Sequence, residues 1–205
     1  MKKDKVFLFL LDPGHGENTP GKRSPDGRFR EYLFAREVTQ DLERELRKRG
    51  YKCECIIKCA MDVSLAERVR IVNEYCKEYG TSNVVLISIH VNAAGNGEQW
   101  MSARGFEIYT SPGNTKSDIL AECIFEAAKE QLPDMKMRSD LSDGDHDKEA
   151  RFAMLTQTKC VAVLSENLFQ DNREDVAFLC SLEGKKKIVE LHLQGILNYI
   201  NKIKK

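Results

Sequence analysis

The chain has 205 residues and a mass of 23.4 kDa, which suits a single domain with a sizeable core. Lysine and arginine together number 32, as do aspartate and glutamate, so the formal net charge is zero. That balance argues against a nucleic-acid-binding protein, which usually carries a basic surface. With 41% hydrophobic and 31% charged residues, the composition excludes disordered and fibrous proteins, and no segment approaches the roughly 20 apolar residues of a membrane span.

The N-terminal residues combine a basic start with an apolar run at 6–11. This run is shorter than the core of a secretory signal, which has about 7–15 apolar residues, and no small-residue cleavage site follows it. Asp12 and Pro13 come directly after it instead. We therefore expect residues 6–11 to form a buried first strand.

Hydrophobic periodicity and turn residues place the remaining elements along the chain. In chain order they are a turn-rich loop at 14–30, a helix at 31–49, a strand at 51–57, a helix from Leu65 that ends at Gly80, strands at 84–89 and 105–110, a helix at 115–132, an exposed acidic loop at 134–150, a short helix at 152–158, a strand at 161–165, and helices at 174–180 and 183–202. Strands that alternate with helices and are apolar on both faces are typical of a three-layer α/β/α fold. We predict one domain over residues 1–205, with a single twisted, mostly parallel sheet covered by helices on both faces.

The seven cysteines form no C-x-x-C pair, and their number is odd. Most lie within apolar runs, as Cys160 does before Val161. Cys53 and Cys55 stand on one face of a predicted strand, at the long limit for a disulfide. We predict buried free thiols rather than a disulfide framework or a thiolate metal cluster.

Two of the four histidines come shortly after predicted strands. His15 comes after the first strand in the run DPGHG, and His90 comes after the strand at 84–89 in the run SIHVNA. Ligands of an open α/β sheet gather at the carboxyl ends of its strands, so these two imidazoles can converge on one metal ion. A catalytic zinc site needs three protein ligands and an open position, and two histidines with one glutamate are an established set.

Two glutamates complete this candidate site. Glu31 opens the first helix after the loop at 14–30 and is the candidate third ligand. A carboxylate in the first turn also has a structural explanation, because the helix dipole favours it there. Glu37 is a rival that we expect to face solvent. Glu166 ends the apolar strand at 161–165 and is the candidate base for hydrolysis.

Six segments spread over nearly the whole chain resemble the zinc-dependent N-acetylmuramoyl-L-alanine amidases of the amidase-3 type. In order they are LDPGHG at 11–16, SPDG at 24–27 running on to Glu31, LAER at 65–68 with Asn73, SIHVNA at 88–93, GFEIY at 105–109, and VLSENLF at 163–169 with Asn172. Each segment alone is a weak signal, but six in order at compatible spacing are specific. One departure is Glu17, where many relatives have glycine.

The resemblance implies hydrolysis of the amide bond between the lactyl group of N-acetylmuramic acid and L-alanine in peptidoglycan, with one Zn²⁺ ion as cofactor. By the same resemblance His15, Glu31 and His90 would be the zinc ligands. Glu166 would be the catalytic glutamate, which takes a proton from the attacking water and gives it to the departing alanine nitrogen. We expect peptidoglycan as the substrate, no nucleic-acid partner and a monomeric protein.

Substrate contacts are predicted on the loop that follows His90. Asn92 is a candidate oxyanion donor, and Trp100 is a candidate contact for the glycan or the peptide stem. We expect Arg68 and Asn73 to organise neighbouring loops rather than to react. The short link from the strand at 105–110 to the next helix has no room for the blocking helix of some relatives, so we expect an open site.

Two further polar features receive structural interpretations. The acidic run DGDHD at 143–147 lacks the ligand spacing of an EF-hand, and we interpret it as a solvated loop at the rim of the substrate groove, with His146 away from the metal. His192 lies beside the apolar stripe of the last helix and is interpreted as a partly buried structural histidine.

Two alternatives from other classes stay open: a non-catalytic peptidoglycan-binding module of the same fold, and a zinc peptidase that cuts another amide. The complete set of candidate ligands and base argues against the module, which has no use for a base. Without a recognisable signal peptide, we expect synthesis in the cytoplasm and action on the cell wall after lysis or another route of release. A phage lysin and a bacterial enzyme both fit.

Overall fold

The computed structural model describes residues 7–204. The strands are β1 (Leu8–Pro13), β2 (Lys52–Cys55), β3 (Val84–Asn92), β4 (Phe106–Thr110), β5 (Lys148–Glu149) and β6 (Val161–Phe169). The helices are α1 (Glu31–Lys48), α2 (Leu65–Tyr79), α3 (Lys116–Gln131), α4 (Ala153–Thr156), α5 (Arg173–Leu179) and α6 (Leu182–Ile203), with a 3₁₀ turn at Thr81–Asn83. Residue 6, the first of the predicted strand at 6–11, and the basic residues before it lie outside the described residues.

The strands form one sheet in the order β2-β1-β3-β6-β4-β5. Strands β1, β2, β3 and β6 run parallel, whereas β4 is antiparallel to β6 and parallel to β5. The predicted three-layer α/β/α fold with one mostly parallel sheet is confirmed. Because β1, β3 and β6 are parallel, their carboxyl ends meet at one edge of the sheet, and this edge carries the candidate site.

Alternate residues of the central strands face two separate hydrophobic clusters. In β1, Phe9 and Leu11 pack with α1, α3 and α6 on one face, and Leu8 and Leu10 pack with α2 and α4 on the other. All four side chains are at most 3% exposed. Burial on both faces explains why such strands have continuous apolar sequences.

Polar residues fix where several helices begin. The Ser64 side chain accepts a hydrogen bond from the Glu67 N–H at the start of α2, and Thr115 forms a capping box at the start of α3. Helix α1 has no such side-chain cap. Instead the Glu31 N–H donates to the Lys22 carbonyl at 3.1 Å, which ties the start of α1 to the loop after β1.

Two expectations about polar segments are wrong. Strands β3 and β6 continue to Asn92 and Phe169, so His90 and Glu166 lie within strands rather than after them. The segment 134–150 is not wholly exposed, because β5 joins the sheet beside β4 and Asp147 is only 3% exposed. The Asp147 carboxylate is tolerated there in part because Thr110 Oγ1 donates to it at 2.6 Å.

Smaller corrections concern cysteines and the last helix. All seven cysteines are free thiols, as predicted, but Cys59 and Cys180 are exposed and Cys160 is only partly buried. His192 is fully buried rather than partly buried. Within residues 7–204, no helix has the length and apolar character needed to cross a membrane.

Candidate active site

Three side chains meet at the carboxyl edge of the sheet. His15 follows β1, His90 lies near the end of β3, and Glu31 is the first residue of α1. Glu31 Oε1 is 3.2 Å from His90 Nδ1 and 3.5 Å from His15 Nε2. The two imidazole rings are perpendicular, with their centroids 5.0 Å apart. One nitrogen or oxygen atom from each residue lies within 4.8 Å of the other two, so the three form a compact donor set.

The Glu31 carboxylate is 1% exposed and is held by two fixed donors. The Val91 N–H donates to Oε1 at 3.0 Å, and Gln170 Nε2 donates to Oε2 at 3.0 Å. Burial alone would raise the pKa of Glu31, but the hydrogen bond to His90 and the charge of His15 outweigh it, so the pKa lies below its ordinary value. Glu31 therefore stays ionised between the two imidazoles.

The imidazoles themselves have opposite protonation preferences. Burial lowers the pKa of His15 to about 4. Burial acts in the same direction on His90, but its hydrogen bond with Glu31 outweighs burial and raises the pKa of His90. Since a neutral imidazole is the form that ligates metals, His15 is already in that form at neutral pH.

The turn after β1 places His15 in an unusual backbone conformation. Its φ is +58°, in the left-handed region that few residues other than glycine adopt. The His15 carbonyl accepts hydrogen bonds from Arg36 Nη1 at 3.0 Å and Arg68 Nη2 at 3.2 Å, and these guanidinium groups hold the turn. At Gly14, a Cβ atom would lie 2.5 Å from the His90 ring. Glycine is therefore what allows the two histidines to approach each other.

A buried ion pair anchors this turn to the sheet. Arg68 Nη1, from α2, donates to Asp12 Oδ1 at 2.5 Å and to the Pro13 carbonyl at 2.7 Å. Ser88 Oγ donates to the other Asp12 oxygen at 2.6 Å. The two charged side chains are at most 3% exposed, so loss of either partner would leave a buried charge uncompensated. These contacts agree with the expected organising role of Arg68.

Glu166 lies on β6 directly opposite His90 on β3. Its Oε2 atom is shielded from solvent and has no hydrogen-bond partner among the described residues. Burial raises the pKa of Glu166 to about 8. The positive charge of His90 acts to lower this pKa, and the negative charge of Glu31 acts to raise it. A carboxyl group that gains and loses a proton near neutral pH is suited to general acid–base chemistry.

The predicted oxyanion donor Asn92 is engaged with its own neighbours. Its Nδ2 atom donates to Glu107 on β4, and its Oδ1 atom accepts from the Ala93 N–H at 2.8 Å. Glu107 is buried and also accepts from Arg138 Nε at 2.8 Å and from Lys148 Nζ. The contact with Glu107 uses one of the two hydrogen atoms on Asn92 Nδ2, and a substrate role for Asn92 stays a prediction.

The predicted substrate residue Trp100 lies apart from the donor set. A cavity of about 220 Å³ beside His15 and His90 is lined by neither Trp100 nor any residue of the segment 134–150. Trp100 instead lines a second cavity, of about 350 Å³, and the Arg173 guanidinium lies 4.5 Å from its ring centroid. A substrate contact through Trp100 stays a prediction, and so does the open site.

Comparison with known proteins identifies the family of this chain. The model of the family described as N-acetylmuramoyl-L-alanine amidase matches residues 9–198. The chain belongs to this amidase family. It is similar to the N-acetylmuramoyl-L-alanine amidase CwlM of Bacillus licheniformis, with 28% identity over 204 residues that cover 96% of this chain and 69% of that protein. It is also similar to the endolysin of Bacillus phage SPP1, with 25% identity over 205 residues that cover 97% and 68%.

The amidase fold is shared with solved structures. The crystal structure of the N-acetylmuramoyl-L-alanine amidase from Clostridium difficile 630 matches this chain with a TM-score of 0.81 and 23% identity, over 96% of this chain and 98% of that one. The resemblance found in the sequence is thereby confirmed. Family membership supports peptidoglycan amidase activity for this chain.

Three residues around the candidate donor set were not identified from the sequence. Asp12 and Arg36 act through the turn at His15, and Gln170 acts on Glu31. The sequence does contain a signal for Asp12, because a carboxylate at the end of a buried strand needs a partner. Gln170 is 139 residues from Glu31, and its only signal is that it directly follows β6.

Proposed function

We propose that the chain is a zinc-dependent N-acetylmuramoyl-L-alanine amidase that cleaves the amide bond between the lactyl group of N-acetylmuramic acid and L-alanine in peptidoglycan. The observation that carries this proposal is the approach of His15, Glu31 and His90 within 4.8 Å of one another, with Glu166 in register opposite His90. A peptidoglycan-binding module has no need for such a set, because binding alone uses neither metal ligands nor a base.

The residues present fit a zinc ion. Two imidazoles and one carboxylate are an established zinc ligand set, and catalytic zinc sites keep a further position open. The side chains of His15 and His90 are 21% and 15% exposed beside the cavity, so one side of the set is accessible to water and substrate. The donors to Glu31 orient its carboxylate, as outer hydrogen bonds commonly do at metal sites. We assign one Zn²⁺ ion to His15, Glu31 and His90.

Glu166 moves the proton in the proposed mechanism. A zinc ion at this site supplies Lewis-acid activation of a water molecule and of the substrate carbonyl. The unpartnered Oε2 atom of Glu166 accepts a proton from the attacking water and later delivers it to the departing alanine nitrogen. Its raised pKa suits a group that must hold this proton between the two transfers. Arg36 and Arg68 keep His15 in place through its carbonyl group.

The names of the relatives support action on the cell wall. One is an N-acetylmuramoyl-L-alanine amidase and the other an endolysin, and both names fit an enzyme that opens peptidoglycan. We propose that the chain acts there as a monomer, after lysis or another route of release.

Mass spectrometry of the products released from purified peptidoglycan tests which bond is cut. We expect stem peptides with a free N-terminal L-alanine, together with glycan strands that keep the lactyl group. Cleavage within the stem peptide would support the zinc peptidase instead. Binding to the cell wall without product release would support the non-catalytic module.

A further inference from the structure

The loop before β5 carries two carboxylate oxygen atoms without partners. Asp145 Oδ1 and Asp147 Oδ1 are both shielded from solvent, and neither has a hydrogen-bond partner among the described residues. Asp147 as a whole is 3% exposed. Because a buried ionised oxygen without a donor is costly, a pair of them in one loop points to a missing ligand.

The two carboxyl groups lie close enough to share a hydrogen bond when one of them carries a proton. Burial raises the pKa of Asp147 to about 7. The hydrogen bond from Thr110 acts to lower this pKa, and the negative charge of Asp145 acts to raise it. Asp118 on α3 and Asp143 on the loop add further negative charge around the pair. Without a cation, the pair therefore has to retain a proton or bear the repulsion between the buried Asp147 charge and the half-buried Asp145 charge.

The cationic side chains next to this pair are engaged elsewhere. His146 forms its ion pair with Glu122, and Lys148 forms its ion pair with Glu107. Thr110 Oγ1 donates at 2.6 Å to the second oxygen of Asp147, which orients the carboxylate and leaves Oδ1 free. Within residues 7–204, no lysine or arginine side chain pairs with either of the two carboxylates.

We propose that Asp145 and Asp147 bind Ca²⁺, at a site separate from the candidate zinc centre. A cation between them takes the place of the shared proton and supplies the missing partner of both Oδ1 atoms. Hard divalent cations prefer such oxygen donors, and Ca²⁺ accepts backbone carbonyl groups and waters as its remaining ligands in a flexible geometry. The alternating carboxylates thus have a function that does not need the spacing of an EF-hand.

Cation binding at this loop also reinforces a strand close to the candidate active site. Asp147 directly precedes β5, whose Lys148 donates to Glu107. Glu107 on β4 stands opposite Glu166 on β6 in the sheet register. The bound ion therefore steadies the edge of the sheet that supports the buried carboxylates of the site.

Calorimetric titration of the zinc-loaded protein with CaCl₂, together with thermal unfolding, tests this proposal. We expect one Ca²⁺ per chain with a Kd on the order of 10⁻⁴ to 10⁻³ M, and a rise in Tm of about 5 °C at saturation. The variant Asp145→Asn replaces one charge with a neutral amide of the same size. It should keep the wild-type Tm or exceed it without Ca²⁺, and it should lose the response to Ca²⁺.

Asp134→Asn is the matched control, because Asp134 is an exposed aspartate of the same segment between α3 and β5. It should keep both the binding heat and the Tm shift. Absence of binding heat or of a Tm shift in the wild-type protein overturns the proposal, and this result needs no variant. A response that persists in both Asp145→Asn and Asp147→Asn also overturns it, since the ion would then bind elsewhere.

Discussion

At the scale of single residues, Glu31 is the buried carboxylate of the donor set, whose other two members are histidines. Glu31→Gln keeps the size of the side chain but removes its charge. We expect zinc affinity to fall by at least about 100-fold, measured as metal content per chain after dialysis. Glu37→Gln is the control, because the Glu37 carboxylate is exposed and pairs with Lys185. Wild-type zinc content in Glu31→Gln would exclude Glu31 as a ligand.

Gly14 tests whether the approach of the two histidines matters. In Gly14→Ala, the new methyl group would lie 2.5 Å from the His90 ring, so the ring has to move. We expect zinc content to fall and dye release from labelled cell walls to slow by about 100-fold, since small misplacements at reacting groups have effects of this size. In the control Gly95→Ala, the nearest atom belongs to the flexible Met101 side chain at 3.4 Å. Equal activity of the two variants would contradict the argument.

The role of a single residue could be predicted when the neighbouring sequence carries a signal for it. His15 and His90 were identifiable because each lies close to the carboxyl end of an apolar strand, and parallel strands bring these ends together. The burial of Asp147 was not, because it depends on the contact of β5 with β4 and on a donor from Thr110, 37 residues away. Such contacts arise from the tertiary fold and leave no periodic pattern.

At the scale of elements, α6 lies close against α3 at a glycine. A Cβ atom at Gly195 would lie 2.6 Å from Ile124 Cγ1. We expect Gly195→Ala to lower the free energy of unfolding in urea by about 1–3 kcal/mol, because the two helices must separate. Asn201→Ala, at an exposed position of the same helix, should change it by less than about 0.5 kcal/mol. A more stable Gly195→Ala would show that helix propensity outweighs packing here.

Helices could be predicted more closely than the polar ends of strands. Caps such as Thr115 leave a signal in the sequence, and the predicted and observed starts of α3 differ by one residue. Strand β6 runs four residues further than predicted, because Glu166 and Asn167 interrupt its apolar pattern. Asn167 Nδ2 donates to the His90 carbonyl at 2.9 Å, a contact between β6 and β3 that the sequence pattern does not reveal.

At the scale of the whole molecule, His192 makes stability depend on pH. It is fully buried, its Nδ1 atom lies 2.7 Å from the Ile188 carbonyl oxygen, and its Nε2 atom lies 2.8 Å from Ser165 Oγ on β6. Burial lowers the pKa of His192 from 6.5 to about 4. The unfolded chain therefore binds a proton that the folded chain excludes between these values, and stability is lost as the pH falls through this window.

We expect this residue to account for about 2 kcal/mol of the stability lost between pH 7 and pH 4.5. Urea unfolding of the wild type and of His192→Gln at both pH values measures this share, because the other titrating groups are common to both proteins. The variant should be less stable at pH 7 but lose less on acidification. Parallel losses in the two proteins would mean that His192 does not contribute.

The central claim is that Glu166 moves the proton in a reaction at the zinc site formed by His15, Glu31 and His90. The most direct measurement is the kcat of Glu166→Gln on a defined muropeptide, with zinc content determined on the same sample. We expect one zinc per chain, as in the wild type and in the exposed control Glu98→Gln, and a kcat that is lower by at least about 100-fold. Wild-type turnover by zinc-loaded Glu166→Gln would contradict the claim.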